Sequence, residues 1–323
     1  MGSLSDDRWI GVALALAERG RGRTAPNPNV GCIIVADERV VGRGWTQPGG
    51  RPHAEAMALG EAGAKSRGAT CYVTLEPCAH RSPRGPACAD LLIAAGVART
   101  VAAIGDPDPR TDGAGLARLR AAGIATVVDV RADDARRSMA GFLTRRLLGR
   151  PQVTLKLATS LDGRIAMADG ASRWITGAAA RAHAHLERSR HEAILVGRGT
   201  FDADAPMLDV RLPGLETRAP RRVLLSRGDR SAGWEIVRHP AAIAALAGVD
   251  HLLVEGGAQA AAAFLAADLV DRLVLYRAPI LIGSGKPALG DIGLTDLASA
   301  HGVWRRHDAR MLGSDRLEVY ERT

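Results

Sequence analysis

The chain is poor in aromatics, in lysine and, beyond residue 88, in cysteine. Phe, Trp and Tyr make up only 3% of its 323 residues. No dense basic run is interleaved with aromatic residues, so no stacking surface for nucleic acid is legible. No uninterrupted apolar run reaches eighteen residues, which argues against a transmembrane helix. The N-terminal stretch MGSLSDDRW carries acids where a signal peptide has a basic region. Together these absences predict a cytoplasmic protein with neither a membrane nor a nucleic-acid partner. Its hydrophobic content of 46% excludes a mostly disordered chain, and its length exceeds one ordinary core, so two domains are expected.

Lysine is nearly absent from a basic chain. Lys and Arg total 43 against 35 acids, a formal net charge of +8, yet Lys65, Lys156 and Lys286 are the only lysines. A GC-rich genome favouring Arg codons accounts for this without function. The functional alternative is an anionic partner, because guanidinium binds phosphate through a rigid two-toothed fork. The four cysteines, Cys32, Cys71, Cys78 and Cys88, all precede residue 89. In a reducing compartment such clustering suggests a metal site or a catalytic thiol rather than disulfides.

Periodicity lays out two α/β segments. Residues 5–19 space Trp9, Val12, Ala13 and Leu16 at helical intervals, and strands at 30–35 and 40–45 flank a turn at Asp37-Glu38. Helices over 54–62, 87–95 and 116–122 then alternate with strands at 70–75, 100–104 and 125–130. One long amphipathic helix is expected over 133–148, stopped by Gly149 and Pro151, and the domain boundary is placed there, giving 1–148 and 149–323. The second segment alternates again: strands at 153–158, 193–197, 222–226, 251–254 and 272–276, with helices at 178–190 and 258–267. Each domain reads as layered α/β.

Three pieces of the first domain point to zinc. His53-Ala54-Glu55 begins a helix, Glu76-Pro77-Cys78 follows a strand, and Cys88 opens the next helix. One imidazole and two thiolates suit zinc and leave a fourth position open for water. Glu55, two residues past His53, could reach that water and shuttle its proton. This is the H-x-E…P-C-x-x-C logic of zinc nucleobase deaminases, except that nine residues rather than two separate the cysteines. The longer loop would set His80, Arg81 and Arg84 over the pocket mouth. A structural zinc, or no metal at all, remains the alternative, and Cys32 and Cys71 read as core.

The second domain offers no metal cluster. Glu255-Gly256-Gly257 and Gly197-Arg198-Gly199-Thr200 each end a strand, and backbone amides at a helix start could hold phosphate. Neither is G-x-G-x-x-G, so a Rossmann site is unsupported, and each alone could be an ordinary turn. His183, His185 and His191 have no spaced acidic or thiol partner and read as surface or core.

Several motifs converge on one family. Residues 24–31 (TAPNPNVG), the HAE, residues 74–80 (TLEPCAH) and residues 106–109 (DPDP) resemble the bifunctional deaminase–reductases of riboflavin biosynthesis. So do residues 155–163 (LKLATSLDG), 172–177 (SRWITG), Gly199-Thr200, Asp204, Arg211 and the EGG of 255–257. The resemblance runs from about residue 5 to 320, in the same order throughout. It implies a cytidine-deaminase-like three-layer α/β/α domain followed by a dihydrofolate-reductase-like α/β domain. The first would remove an amino group from diaminohydroxyphosphoribosylaminopyrimidine with one zinc; the second would reduce the ribosyl group with NADPH.

By resemblance, His53, Cys78 and Cys88 hold the metal, Glu55 is the proton shuttle and Asn27 contacts the pyrimidine. Ser172, Arg188, Leu208, Arg211 and Glu255 match substrate contacts, and Ala158, Trp174, Thr200, Asp204 and Gly257 match cofactor contacts. Lys156 matches a family lysine to which no role is assigned. Thr46 stands where members often have His, and Ala114 where they often have Lys or Arg. A homologue with one active domain or an altered deaminase substrate, and an RNA-editing deaminase, are the alternatives the sequence leaves open, as is assembly into a homo-oligomer.

Overall fold

The computed structural model describes residues 3–80, 84–228 and 232–323. The chain divides into two compact units, Met1–Gly149 and Arg150–Thr323. The predicted Arg81 lies outside the described residues.

The first unit is a five-stranded mixed sheet between helices. Helix α1 (Leu4–Ala17) starts one residue earlier than the sequence suggested, with Ser3 and Asp6 forming a reciprocal capping box. Asp6 also takes both guanidinium nitrogens of Arg99, and this ion pair holds its carboxyl well below the usual carboxylate range. Strands β1 (Gly31–Ala36) and β2 (Arg39–Trp45) form a hairpin whose turn residues, Asp37 and Glu38, both have positive φ, as a two-residue turn matched to strand twist requires. Helix α2 (Ala54–Ala62), β3 (Thr70–Val73), α3 (Cys88–Ala95), β4 (Arg99–Ala102), α4 (Ala114–Ala121) and β5 (Ala125–Val127) follow. The strand order is β2-β1-β3-β4-β5, antiparallel as far as β3 and parallel beyond it.

Small residues set the layers. A Cβ on Gly31 would lie 1.9 Å from the Ala13 carbonyl oxygen of α1, and one on Gly44 2.1 Å from the Ala54 carbonyl oxygen of α2. Gly44 pairs with Cys32, the neighbour of Gly31, so the two glycines face opposite sides of the sheet. α1 and α2 therefore cover opposite faces, and α3 packs beside α2.

The single helix expected over 133–148 is two: α5 (Ala132–Ser138) and α6 (Ala140–Leu148), broken at Met139 with φ −103° and ψ 18°. An unbroken helix would commit the Ser138 carbonyl to the amide of Phe142. Here it accepts instead from Asn29 Nδ2 at 3.2 Å, while Ser138 Oγ donates to Glu18 at 3.0 Å.

The second unit is built on an eight-stranded sheet. Its elements are β6 (Gln152–Thr159), β7 (Arg164–Ala166), α7 (Ala178–Arg188), β8 (Ala193–Gly197), α8 (Arg198–Asp204), β9 (Arg221–Leu225), β10 (Glu235–Val237), β11 (His251–Val254), α9 (Ala258–Ala266), β12 (Arg272–Arg277), β13 (Lys286–Pro287), β14 (Trp304–Leu312) and β15 (Asp315–Arg322). The order is β10-β9-β8-β11-β6-β12-β15-β14, with the first six parallel and the last two antiparallel. β13 and β7 form a separate two-stranded ladder. The core joins Val153, Leu155, Leu195, Val223, Leu252, Val254 and Phe264, apolar runs of the kind parallel strands need when both faces are covered. Among the described residues no helix is long and apolar enough to cross a membrane.

Candidate functional site

In the first unit, α2 and α3 lie side by side with their N-termini together, and the loop after β3 runs between them. His53 is the residue preceding α2, Cys88 is the first residue of α3, and Cys78 sits in the loop. His53 Nδ1 is 3.3 Å from Cys88 Sγ and 3.7 Å from Cys78 Sγ. All three donor atoms lie within 4.8 Å of one another. The nine-residue spacer between the cysteines closes on itself: the Cys88 backbone N–H donates to Cys78 Sγ at 3.3 Å. One hard nitrogen and two soft sulfurs at this separation fit a tetrahedral zinc ion with a free position.

Electrostatics prepare the cluster. The Cys88 thiol, together with His53 and the α3 amide, stabilises a thiolate on Cys78 and draws its pKa well down from the usual thiol value. The same pairing, with burial, pushes Cys88 upward, so the two thiols titrate as a pair. Glu55, the second residue of α2 and only 3% exposed, has its pKa raised chiefly by burial, while His53 opposes the shift.

The neighbours divide into support and site. Asn27 Nδ2 lies 2.9 Å from His53 Nε2 and donates to the Gly50 carbonyl at 3.0 Å, which fixes the far side of the imidazole. Glu76 faces away from the cluster: its carboxylate accepts from the amides of Asp106, Gly113 and Leu116, capping the start of α4. Thr46 is buried and its hydroxyl accepts from the Val30 amide. His80 is within 3.5 Å of the Thr111 hydroxyl, and Arg84 donates to the Gly49 carbonyl. Cys32 and Cys71 are fully buried free thiols 3.5 Å apart.

In the second unit a cavity of about 1790 Å³ follows the C-terminal ends of the parallel strands, the usual ligand edge of an open α/β sheet. Ala158, Ser172, Trp174, Arg188, Thr200, Asp204, Leu208, Arg211, Glu255 and Gly257 all line it. Its floor is an ionic cluster. Arg188 donates to both oxygens of Glu255 at 2.8 and 2.9 Å, and Lys156 Nζ is 3.4 Å from the same carboxylate. Burial alone would raise Glu255; the charges of Lys156 and Arg188 outweigh it and hold the group down at about 2. Thr200 Oγ1 accepts from the amide of Gly257, the residue preceding α9. Leu208 is buried with φ +52°, a conformation that costs a leucine energy.

Sequence reasoning left several lining residues without a role, Lys156 and His185 among them. Lys156 had no role, and its partner becomes visible only when β11 docks beside β6. His185, read as surface or core, lines the cavity with its Nδ1 3.1 Å from the Asp209 carbonyl and its Nε2 3.3 Å from Arg211 Nε. Its signal was position on α7, one turn before Arg188.

The comparisons agree with both halves. Residues 4–104 match the cytidine and deoxycytidylate deaminase zinc-binding region, and residues 151–311 match the RibD C-terminal domain. The riboflavin biosynthesis protein RibD of Escherichia coli is 40% identical, over 92% of this chain and 94% of that protein. The chain belongs to the RibD family. A Mycobacterium tuberculosis RibD is 37% identical over 97% of this chain and 96% of its own. Acinetobacter baumannii RibD superposes with a TM-score of 0.86 at 34% identity, covering 99% of both chains. A Thermotoga maritima structure described as a diaminohydroxyphosphoribosylaminopyrimidine deaminase/5-amino-6-(5-phosphoribosylamino)uracil reductase gives a TM-score of 0.87 at 30% identity, again over 99% of both. As a RibD-family member the chain is a bifunctional enzyme of riboflavin biosynthesis, with a zinc-dependent deaminase domain and an NADPH-dependent reductase domain.

Proposed function

We propose that residues 1–148 hydrolyse the amino group of diaminohydroxyphosphoribosylaminopyrimidine and that residues 149–323 reduce the ribosyl group of the product to ribityl. The observation that carries the reading is the convergence of His53, Cys78 and Cys88 within 4.8 Å beside the buried carboxyl of Glu55.

His53 Nδ1 and the two sulfurs would hold zinc, which when bound supplies Lewis acidity. Glu55 accepts one proton from the attacking water and gives it to the ring nitrogen, then takes the second proton from the newly added hydroxyl and gives it to the departing amine, so that water and an amidine become a carbonyl and ammonia. A carboxyl whose pKa is raised by burial suits both directions of that transfer. Asn27, held beside His53, is placed to meet the pyrimidine edge.

In the second unit NADPH supplies the hydride when bound. Ala158, Trp174, Thr200, Asp204 and Gly257 would orient it, with phosphate at the α9 amides. Ser172, Leu208 and Glu255 would bind the ribosylated substrate, and Arg188 and Arg211 its phosphate. The cluster Lys156–Glu255–Arg188 carries one net positive charge on the cavity floor, which favours an anionic substrate. The free thiols and the small-molecule chemistry support a cytoplasmic enzyme without a nucleic-acid partner.

Glu55→Gln tests the assignment. The variant should bind one zinc per chain, lose ammonia release by about 10²- to 10⁴-fold, and still oxidise NADPH when given the deaminated intermediate. Unchanged ammonia release would remove Glu55 from the mechanism.

A further inference from the structure

The ammonium of Lys156 is only loosely held by charge. It lies 3.4 Å from Glu255, whose two oxygens already accept from Arg188 at 2.8 and 2.9 Å. One long contact does not fix a flexible four-carbon stem that ends in three rotatable donors. The second restraint is aromatic. β12 pairs with β6 so that Val274 stands opposite Lys156 and Tyr276 opposite Ala158. Tyr276 therefore shares the face of the sheet that carries Lys156. Lys156 Nζ lies 5.9 Å from the centroid of the tyrosine ring, within reach of a cation–π contact.

The ring is clamped from behind. Tyr276 is 1% exposed and packs with Ala180, Val274, Leu317 and Val319. Its hydroxyl is 2.7 Å from His183 Nδ1 on α7, and His183 Nε2 is 3.0 Å from Arg310 Nη2 on β14. A guanidinium only donates, so Nε2 accepts, the ring proton sits on Nδ1, and that N–H donates to the Tyr276 oxygen. Burial lowers the His183 pKa, and the charges of Arg310, Arg190 and Arg272 lower it further against the pull of Glu187. The imidazole is thus neutral at pH 7, as this tautomer needs. Tyr276, His183 and Arg310 are not among the described residues that line the cavity.

We propose that Tyr276, clamped by His183, is a positioning residue for the reductase: it fixes the Lys156 ammonium so that the donors Glu255 leaves over point into the cavity, toward an oxygen of the bound substrate. The inference rests on the reading of this unit as the reductase and adds what aims its floor. Lys156 lines the cavity and Tyr276 does not, so the tyrosine acts through the lysine and touches neither substrate nor cofactor. Removing the ring leaves the charge of the ammonium in place and frees its position. Binding of the substrate oxygen weakens, and hydride transfer within the bound complex changes little.

The scarcity of lysine makes the test direct. In full-length protein carrying isotopically labelled lysine, the NMR spectrum holds one spin system each for Lys65, Lys156 and Lys286, and Lys156→Arg assigns the one of interest. The Lys156 side-chain protons should resonate upfield of the other two, because they face an aromatic ring. Tyr276→Leu should abolish that shift and raise KM for the deaminated intermediate about tenfold, with kcat and the KM for NADPH within about twofold. Tyr276→Phe retains the ring, so it should keep the upfield shift and a KM within about threefold of wild type. His183→Leu, at a half-buried position, should reduce the shift and raise KM about threefold. A wild-type Lys156 signal that coincides with the other lysines overturns the proposal without any core variant, as does an unchanged KM in Tyr276→Leu. Tyr276→Phe as impaired as Tyr276→Leu overturns the ring contact in favour of the hydroxyl. Wild-type protein that does not oxidise NADPH with the deaminated intermediate overturns the reductase reading, whatever the lysine spectrum shows.

Discussion

Glu255 offers the sharpest energetic test of the second unit. Its carboxylate is buried with two cations on it, and its pKa falls from 4.5 to about 2. That depression corresponds to about 3 kcal/mol of folding free energy. Because the folded pKa is the lower one, the contribution is fully present above about pH 4.5 and drains away as pH falls toward 2. Glu255→Gln removes the charge at neutral pH and leaves Lys156 and Arg188 facing each other, both mostly buried. Breaking a buried pair in this way costs about 3–5 kcal/mol. Peptide-resolved hydrogen exchange reads it: protection over 152–159 and 251–254 should fall by that amount at pH 7, while 31–45 in the other unit should not change. The difference between variant and wild type should shrink below pH 4. Equal protection in the two proteins at pH 7, or a difference that persists unchanged at pH 3, would refute the linkage argument.

Other consequences follow from the two sites. Cys88→Ser exchanges a soft donor for a hard one, so zinc content should fall well below one per chain and ammonia release with it; full zinc occupancy would displace Cys88 from the ligand set. Chelation of the wild type should abolish ammonia release yet leave NADPH oxidation of the deaminated intermediate intact, and loss of both would contradict a metal-free second unit. Arg211→Ala should raise the reductase KM about tenfold with kcat little changed, since the guanidinium sits at the cavity rim and makes a binding contact. An unchanged KM would end its phosphate role.

The elements that sequence reveals are those whose cause is local. Helix 54–62 and strand 193–197 emerge with the bounds read from sequence, because the residue pattern of the helix and the apolar run of the strand lie within each segment. The break at Met139 is not local: it depends on Asn29, 109 residues away, taking the Ser138 carbonyl. The hairpin of β14 and β15 was also illegible. β14 is WRRHDARML, mostly exposed and without an alternating apolar face, although its partner β15 packs Leu317 and Val319 against Val274 and Tyr276 of β12. In the first site the metal-ligand motifs were short and ordered, so they could be read directly. Glu76 could not be told from a catalytic acid, because its role as a cap for α4 depends on the fold of residues 106–116. Lys156 and Glu255 are 99 residues apart and meet only across paired strands.

The central claim is that one chain performs two separable reactions. Its most direct test is to incubate the purified protein with diaminohydroxyphosphoribosylaminopyrimidine, with and without NADPH, while following ammonia and the absorbance of NADPH together. The account predicts ammonia release without NADPH, and NADPH oxidation equal to the ammonia released once the cofactor is added. Ammonia that appears only with NADPH, or complete deamination with no NADPH oxidised, would contradict it.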